Sequence, residues 1–189
     1  MIRLLKAADR AAIPWKNGGG VTRDVIVSPA GATLENFDWR ISIAEIASDG
    51  PFSRFPGIDR RLAVLQGKIV LTVEGHAPVT LDPMAPALDF PGEAVVESRL
   101  VGGPSMDLNV MTRRGRFVSG LIRQSAAQPK PKTPTTILIA LTSLMITSGN
   151  RAIAMARLDA LLIEGSASLT IGPKGADYYL IEISAPRPR

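Results

Sequence analysis

The sequence predicts an all-β chain, and three observations carry that prediction. Apolar and polar residues alternate in runs of strand length. The 17 glycines and 15 prolines recur at strand-length intervals and cut those runs apart. The apolar pattern is short-range elsewhere, with only two segments suggesting a helix.

In chain order, "LLKAADRAAI" (Leu4–Ile13) is the first helix candidate, weakened by Pro14 directly after it. "PWKNGGG" (Pro14–Gly20) reads as a turn and "VTRDVIV" (Val21–Val27) as a β-branched strand. In "FDWRISIAEI" (Phe37–Ile46), Trp39, Ile41 and Ile43 share one face and Arg40, Ser42 and Ala44 the other. The first set is expected to pack between sheets, leaving Arg40 and Ser42 to line a cavity. "LAVLQGKIVLTV" (Leu62–Val73) is two strands broken at Gln66-Gly67, and "EGHAPVTLD" (Glu74–Asp82) adds a turn and a strand. "FPGE" (Phe90–Glu93) marks a strand turn. "MDLNVMTR" (Met106–Arg113) alternates again, Asp107, Asn109 and Met111 opposing Leu108, Val110 and Thr112. "NRAIAMARLDALL" (Asn150–Leu162) is the second helix candidate.

Aligned on Gly67 and Gly165, "VLQGKIVLTV" (Val64–Val73) and "LIEGSASLTI" (Leu162–Ile171) agree in character over ten positions without a gap. The echo suggests two related β modules. Alternating prolines and lysines in "QSAAQPKPKTPTT" (Gln124–Thr136) place the seam there, giving modules at 1–124 and 125–189. The first holds most of the unusual polar residues, so function is expected in it.

The chain has no cysteine, which excludes disulfides, thiolate metal sites and cysteine nucleophiles. Arg3, Lys6, Asp9 and Arg10 interrupt any apolar signal segment, and "ILIALTSLMI" (Ile137–Ile146) is shorter than the ~20 residues of a membrane helix. A cytoplasmic protein without a membrane partner is expected. The net charge of +5 raises nucleic acid as a partner, yet the basic residues are scattered apart from Thr112–Phe117 and the terminal Pro186–Arg189. No aromatic platform alternates with them, so nucleic-acid binding is not expected.

The glycine triplet is not a phosphate loop. Such a loop needs its lysine after the glycines at a helix start, whereas Lys16 precedes them and a strand follows. The dinucleotide spacing G-x-G-x-x-G fails because Arg23 stands at its last position. Gly18–Gly20 instead read as a turn folding Trp15, Lys16 and Asn17 over a pocket: an apolar wall with an N–H, a charge, and a paired donor and acceptor. The alternative is an entry turn with Trp15 as core filler.

"PWKNGGGVTRDV", "FDWRISIAEIASDGPFSRFPGIDRRLAVLQG", "FPGE" and "DLNVMTRRG", in that order, resemble the HutD/Ves family over about Met1–Gly120; the likeness beyond is loose. The resemblance implies a cupin-type bicupin, two small antiparallel β-barrels of which the first encloses a pocket. It also implies binding of a small molecule linked to histidine degradation, in a regulatory or flux-limiting part rather than a catalytic one.

Cupin enzymes hold a metal through two histidines, a glutamate and a later histidine, which must converge on one ion. With Gly67 as the motif glycine, Arg60 stands where the glutamate should, the histidine pair falls near Ser53 and Phe55 or Arg54 and Pro56, and the later histidine near Leu88. None is a ligand. The single histidine, His76, is expected at a hairpin tip. No metal and no other cofactor is expected. Arg60 turns the mouth toward anions instead, since a guanidinium fork suits carboxylate. Arg40 and Arg60 with Lys16 are the expected anion holders; Trp15, Asn17, Gly20, Thr22, Ser42, Asn109 and Met111 complete the ligand-binding set. If Arg60 and Arg61 merely flank a strand in water, that reading fails.

Glu45 and Asp107 could serve as acid or base, while Glu93 falls at a strand turn; no Ser-His or paired-carboxylate arrangement is visible, so no catalytic residue is assigned. The leading expectation is a non-catalytic binder of a small anionic metabolite such as urocanate or formylglutamate. The alternative is a metal-independent enzyme, an isomerase or hydrolase acting on a carboxylated substrate. Edge strands free to pair between chains leave a homodimer open.

Overall fold

The computed structural model describes residues 1–186, so Arg187, Pro188 and Arg189 of the basic terminal stretch lie outside the described residues. The chain is all-β. Its strands are β1 (Ile2–Leu5), β2 (Ile13–Pro14), β3 (Gly20–Ser28), β4 (Trp39–Ile46), β5 (Gly50–Pro51), β6 (Ile58–Gln66), β7 (Ile69–Val73), β8 (Val79–Leu81) and β9 (Leu88–Pro91). They continue as β10 (Val96–Leu100), β11 (Ser105–Arg113), β12 (Val118–Gln124), β13 (Thr135–Ala140), β14 (Leu144–Ser148), β15 (Arg151–Met155), β16 (Ala160–Glu164), β17 (Thr170–Gly172) and β18 (Tyr178–Ser184). Both helix candidates are wrong. The first holds the end of β1 and a 3-10 turn at Ala7–Asp9; the second is β15, a turn and β16. Register with neighbouring strands outweighs the helix propensity of alanine and methionine there.

Two compact units divide the chain, residues 11–116 in one and 1–10 with 117–186 in the other. The expected seam at 124/125 therefore lies inside the second unit. The proline–lysine stretch is a loop of that unit, pinned where Tyr178 Oη donates to Ala126 O and Lys132 N to Glu182 Oε1.

The 11–116 unit has a six-stranded sheet ordered β2-β3-β4-β11-β6-β9 and a four-stranded sheet ordered β5-β10-β7-β8. Both contribute to one core: Ile46, Leu62, Val64 and Phe90 from the large sheet, Ile69, Leu71, Val73, Leu81 and Val96 from the small one. In the second unit, β1-β16-β13-β18-β12 and β15-β14-β17 share a core of Leu138, Ile146, Leu161, Ile171 and Tyr178 among others. The sheets are open in their hydrogen bonding, so the closed barrels expected from the resemblance are not present as continuous rings.

The internal repeat exists in topology but not in the register the sequence suggested. β6 to β11 pair as 6–9, 6–11, 7–8 and 7–10; β13 to β18 pair as 13–16, 13–18, 14–15 and 14–17. On that correspondence β16–β17 matches β9–β10, whereas the echo paired it with β6–β7. The recurring letters mark a corner, strand–Gly–strand, by which the chain leaves the large sheet for the small one. Gly67 and Gly165 take φ of 78° and 80° at those two corners.

β1 adds to the outer side of β16 through Ile2↔Ile163 to Leu5↔Ala160. Deleting residues 1–6 should therefore speed amide exchange at Ala160–Ile163 by tenfold or more, ~1.4 kcal/mol of local protection, and leave β4 and β11 unchanged. Hydrogen exchange read by mass spectrometry checks this; equal loss in β4 would contradict the pairing.

Candidate functional site

The site grows from the inner face of the six-stranded sheet. Residues opposite one another across strands stand side by side on one face. Register sets Val27 against Arg40, Arg40 against Met111, Met111 against Arg60 and Arg60 against Phe90. The next row runs Asp24, Ser42, Asn109 and Leu62; a third runs Thr22, Ala44, Asp107 and Val64. Toward β6 these rows join the apolar core. Toward β3, β4 and β11 they are polar and face a cavity of about 800 Å³. Trp39, Ile41 and Ile43 lie on the opposite face and are buried, so the alternation assigned Arg40 and Ser42 to the cavity side as expected.

Nine of the ten sequence-selected residues stand on the cavity wall: Trp15, Lys16, Asn17, Thr22, Arg40, Ser42, Arg60, Asn109 and Met111. Gly20 does not. A Cβ there would lie 2.4 Å from the Glu45 carbonyl oxygen and 3.1 Å from the Trp15 ring, so the glycine lets the indole lie over the backbone. Gly18, at φ 71°, makes the turn, its N–H donating to Trp15 O at 3.0 Å. The lip's own hydrogen bonds absorb groups that were expected to face a ligand. Trp15 Nε1 donates to Thr22 Oγ1 at 2.8 Å, and Asn17 Oδ1 accepts from Gly19 N at 3.0 Å. The lip thus presents an indole face and the exposed Lys16.

The two arginines are buried and held differently. Arg40 Nη2 pairs with Asp24 Oδ1 at 2.5 Å, and its Nη1 lies 3.9 Å from Met111 Sδ. Arg60 sits among three rings, its Cζ 4.9 Å from the centroid of Phe90, 5.3 Å from Phe52 and 5.6 Å from Phe55. Its Nη1 donates to Ser53 O at 3.2 Å and its Nη2 to Asn109 Oδ1 at 2.7 Å; Asn109 Nδ2 in turn donates to Asp107 Oδ1 at 2.6 Å. Burial pulls Arg60 down to about 10, with Asp107 opposing and Arg40 adding to the shift, so it stays charged near neutrality. The Nε of both arginines and Oδ2 of Asp107 have no hydrogen-bond partner.

Asp107 is 1% exposed, and burial drives its carboxyl up to about 7 against the pull of Arg60 and Asn109. Of the other carboxylates weighed from sequence, Glu45 is exposed and pairs with Arg23 at 2.5 Å, and Glu93 pairs with Arg114 at 2.6 Å. The cations of the basic turn are tied as well: Arg113 to Phe37 O, Arg114 to Asp59 and Glu93, Arg116 to Asp38. His76 is exposed at the turn between β7 and β8.

The donor set does not fit a cupin metal. Two guanidinium groups occupy the wall where ligands would converge, and among the described residues no three His, Asp or Glu side chains gather at one point. Sequence reasoning missed Asp24 and the aromatic box around Arg60. Alternation along "VTRDV" puts Thr22 and Asp24 on one face and could have found the former; Phe52 and Phe55 lie in the loop before β6 and Phe90 on β9, so the box forms only in the tertiary fold.

Replacing Gly20 by alanine should cost about 1–3 kcal/mol in denaturant unfolding, because backbone rather than a flexible side chain blocks the new methyl. The raised Asp107 gives a second expectation. Its stabilising contribution is full below the unfolded value near 4 and is lost as pH rises through about 7. Stability should fall by up to ~1.4 kcal/mol per pH unit across that window, and Asp107→Asn should flatten the dependence. Denaturant midpoints measured from pH 4 to 8 check it.

A family model described as HutD matches residues 7–180. An uncharacterized 21.2 kDa protein from the hutC 3' region of Pseudomonas putida is 34% identical over 186 residues, covering 96% of this chain and 97% of its own. Protein Ves of Citrobacter koseri is 40% identical over 112 residues, 54% of this chain and 53% of its own. HutD from Pseudomonas fluorescens SBW25 superposes with a TM-score of 0.84 at 30% identity, covering 99% of this chain and all of that one. A cupin 2 conserved barrel domain protein from Leptotrichia buccalis, at TM-score 0.58, 10% identity and 92% of both chains, is similar in fold alone. The chain belongs to the HutD family, which its Pseudomonas putida relative links to the hut gene region.

Proposed function

We propose that the cavity of the 11–116 unit binds a small anionic metabolite of histidine breakdown, with urocanate and N-formylglutamate as candidates, and does so without turnover in a regulatory or flux-limiting role. The observation that carries this reading is the pair of buried guanidinium groups on one cavity wall, each with an unpartnered Nε. A buried cation with an unused donor is stabilised by an anion that completes its hydrogen bonding. The relative beside hutC supports the choice of pathway. The cavity volume lies in the range of small-molecule sites, and Trp15, Phe52 and Phe55 offer flat apolar surface for the rest of the guest. The shared strand order of the two units supports reading the chain as a bicupin, and the arginine-rich donor set supports binding that needs no metal. A cytoplasmic setting fits this role; among the described residues no helix is long and apolar enough to cross a membrane.

One observation favours a second reading, a metal-independent enzyme: Asp107 is a cavity carboxyl that titrates near neutrality. Stoichiometric loss of a bound metabolite, with a new product by chromatography, would select it.

Isothermal titration with urocanate and with N-formylglutamate tests the proposal. At least one should bind, unaffected by chelator, and Arg60→Ala should weaken it roughly 10- to 150-fold, the worth of one charged hydrogen bond. Binding as tight in Arg60→Ala as in the parent removes Arg60 from the site; binding of neither anion contradicts the proposal.

A further inference from the structure

Asp107 is the one cavity group whose chemistry the anion site does not account for. Its flanking positions in register are apolar, Ala44 on β4 and Val64 on β6. The charged groups around the same cavity are Arg60 from β6, reaching it through Asn109, Arg40 from β4, Asp24 from β3, and Lys16 on the lip. Asp24 is already paired with Arg40. Asp107 is a residue of the cavity wall; its Oδ1 is occupied by Asn109, while its Oδ2 is buried and unpartnered.

An ionised carboxylate in that place opposes the function proposed for the cavity. Two like charges in a poorly solvated space repel strongly, and an acceptor-only oxygen offers an anion nothing. A protonated Oδ2 reverses both effects, since the repulsion vanishes and the new O–H becomes a donor. Asn109 is indifferent to the change, because its amide still donates to Oδ1 and still accepts from Arg60.

Resting on the reading that the cavity holds an anion, we propose that Asp107 binds it as a neutral acid, donating its Oδ2 proton to an oxygen of the guest, so that the anion enters together with a proton. The net event is Asp107 carboxylate plus one proton plus the anion giving a carboxylic acid hydrogen-bonded to the anion; no covalent bond of the guest changes. The site then selects guests that carry an acceptor oxygen beside the one gripped by guanidinium. Burial already holds Asp107 near the neutral range, where the cost of that proton is small.

Calorimetry in two buffers of different ionisation enthalpy measures the proton directly. Formate and N-formylglutamate are the probes, since their own carboxyl groups stay ionised from about pH 5.5 to 8. Uptake close to one proton per anion is expected at about pH 8 and close to none at about pH 5.5, with affinity falling up to ~tenfold per pH unit above neutrality. Asp107→Asn should bind with no proton uptake and a flat pH profile. Should that variant not fold, the protein itself still decides: its infrared spectrum should gain a protonated-carboxyl band when anion is added at the higher pH. Binding with no proton uptake, or without that band, or uptake unchanged in Asp107→Asn, overturns this inference and leaves anion binding standing. No binding by either probe or by urocanate at any pH overturns both.

Discussion

Two buried guanidinium groups on one sheet face are the constraint from which the rest of the site follows. Arg40 and Arg60 flank Met111 in register, one from β4 and one from β6. Removing two like charges from water costs several kcal/mol each unless each finds partners. The sheet supplies two separate arms for this. On one side Arg40 takes Asp24; on the other Arg60 takes Ser53 O, three aromatic faces and, through Asn109, the carboxyl of Asp107. Neither arm completes the hydrogen bonding: both arginines line the cavity, and the Nε of each is buried without a partner.

The two units make a controlled comparison. They share the order in which strands pair, yet the second is filled by Leu138, Leu161, Ile146, Tyr178 and their neighbours. In the first, the same kind of large sheet gives Leu62 and Val64 of β6, Phe90 of β9 and Ile46 at the end of β4 to the core, and residues of β3, β4 and β11 with Arg60 to a cavity. The shared fold therefore explains the platform alone, and what differs between the copies is the rows of polar residues carried by the first. On the proposed reading, a guanidinium where a cupin enzyme has a metal-ligating acid would suit the same scaffold to an anion.

What could be read in advance was whatever a single strand encodes. Alternation along β4 and β11 gave the partition of Arg40, Ser42, Asn109 and Met111 from Trp39, Ile41 and Val110; all seven are buried, and the first four alone line the cavity. Readings that depend on pairing between distant strands failed. The Asn150–Leu162 stretch has helix-forming letters, but its halves pair with β14 and β13. The Gly67 and Gly165 corners look alike because both serve the same local bend, although they join non-equivalent strands. The seam was placed at prolines that belong to a loop, while the real division follows β11 at a turn whose arginines are all tied down. Arg60 was singled out from one spacing argument; its aromatic box and its link to Asp107 are tertiary and had no trace in the local pattern. Gly20 was chosen for contact with a guest and instead makes room for Trp15.

The central claim is that the cavity of the 11–116 unit is a socket for a carboxylate. The most direct measurement is a crystal structure after soaking with urocanate or N-formylglutamate. The account predicts carboxylate oxygens within hydrogen-bonding distance of the Arg40 or Arg60 guanidinium groups, beneath the Trp15 lip. A metal ion coordinated in that cavity, or the anion bound only elsewhere on the surface, would contradict it.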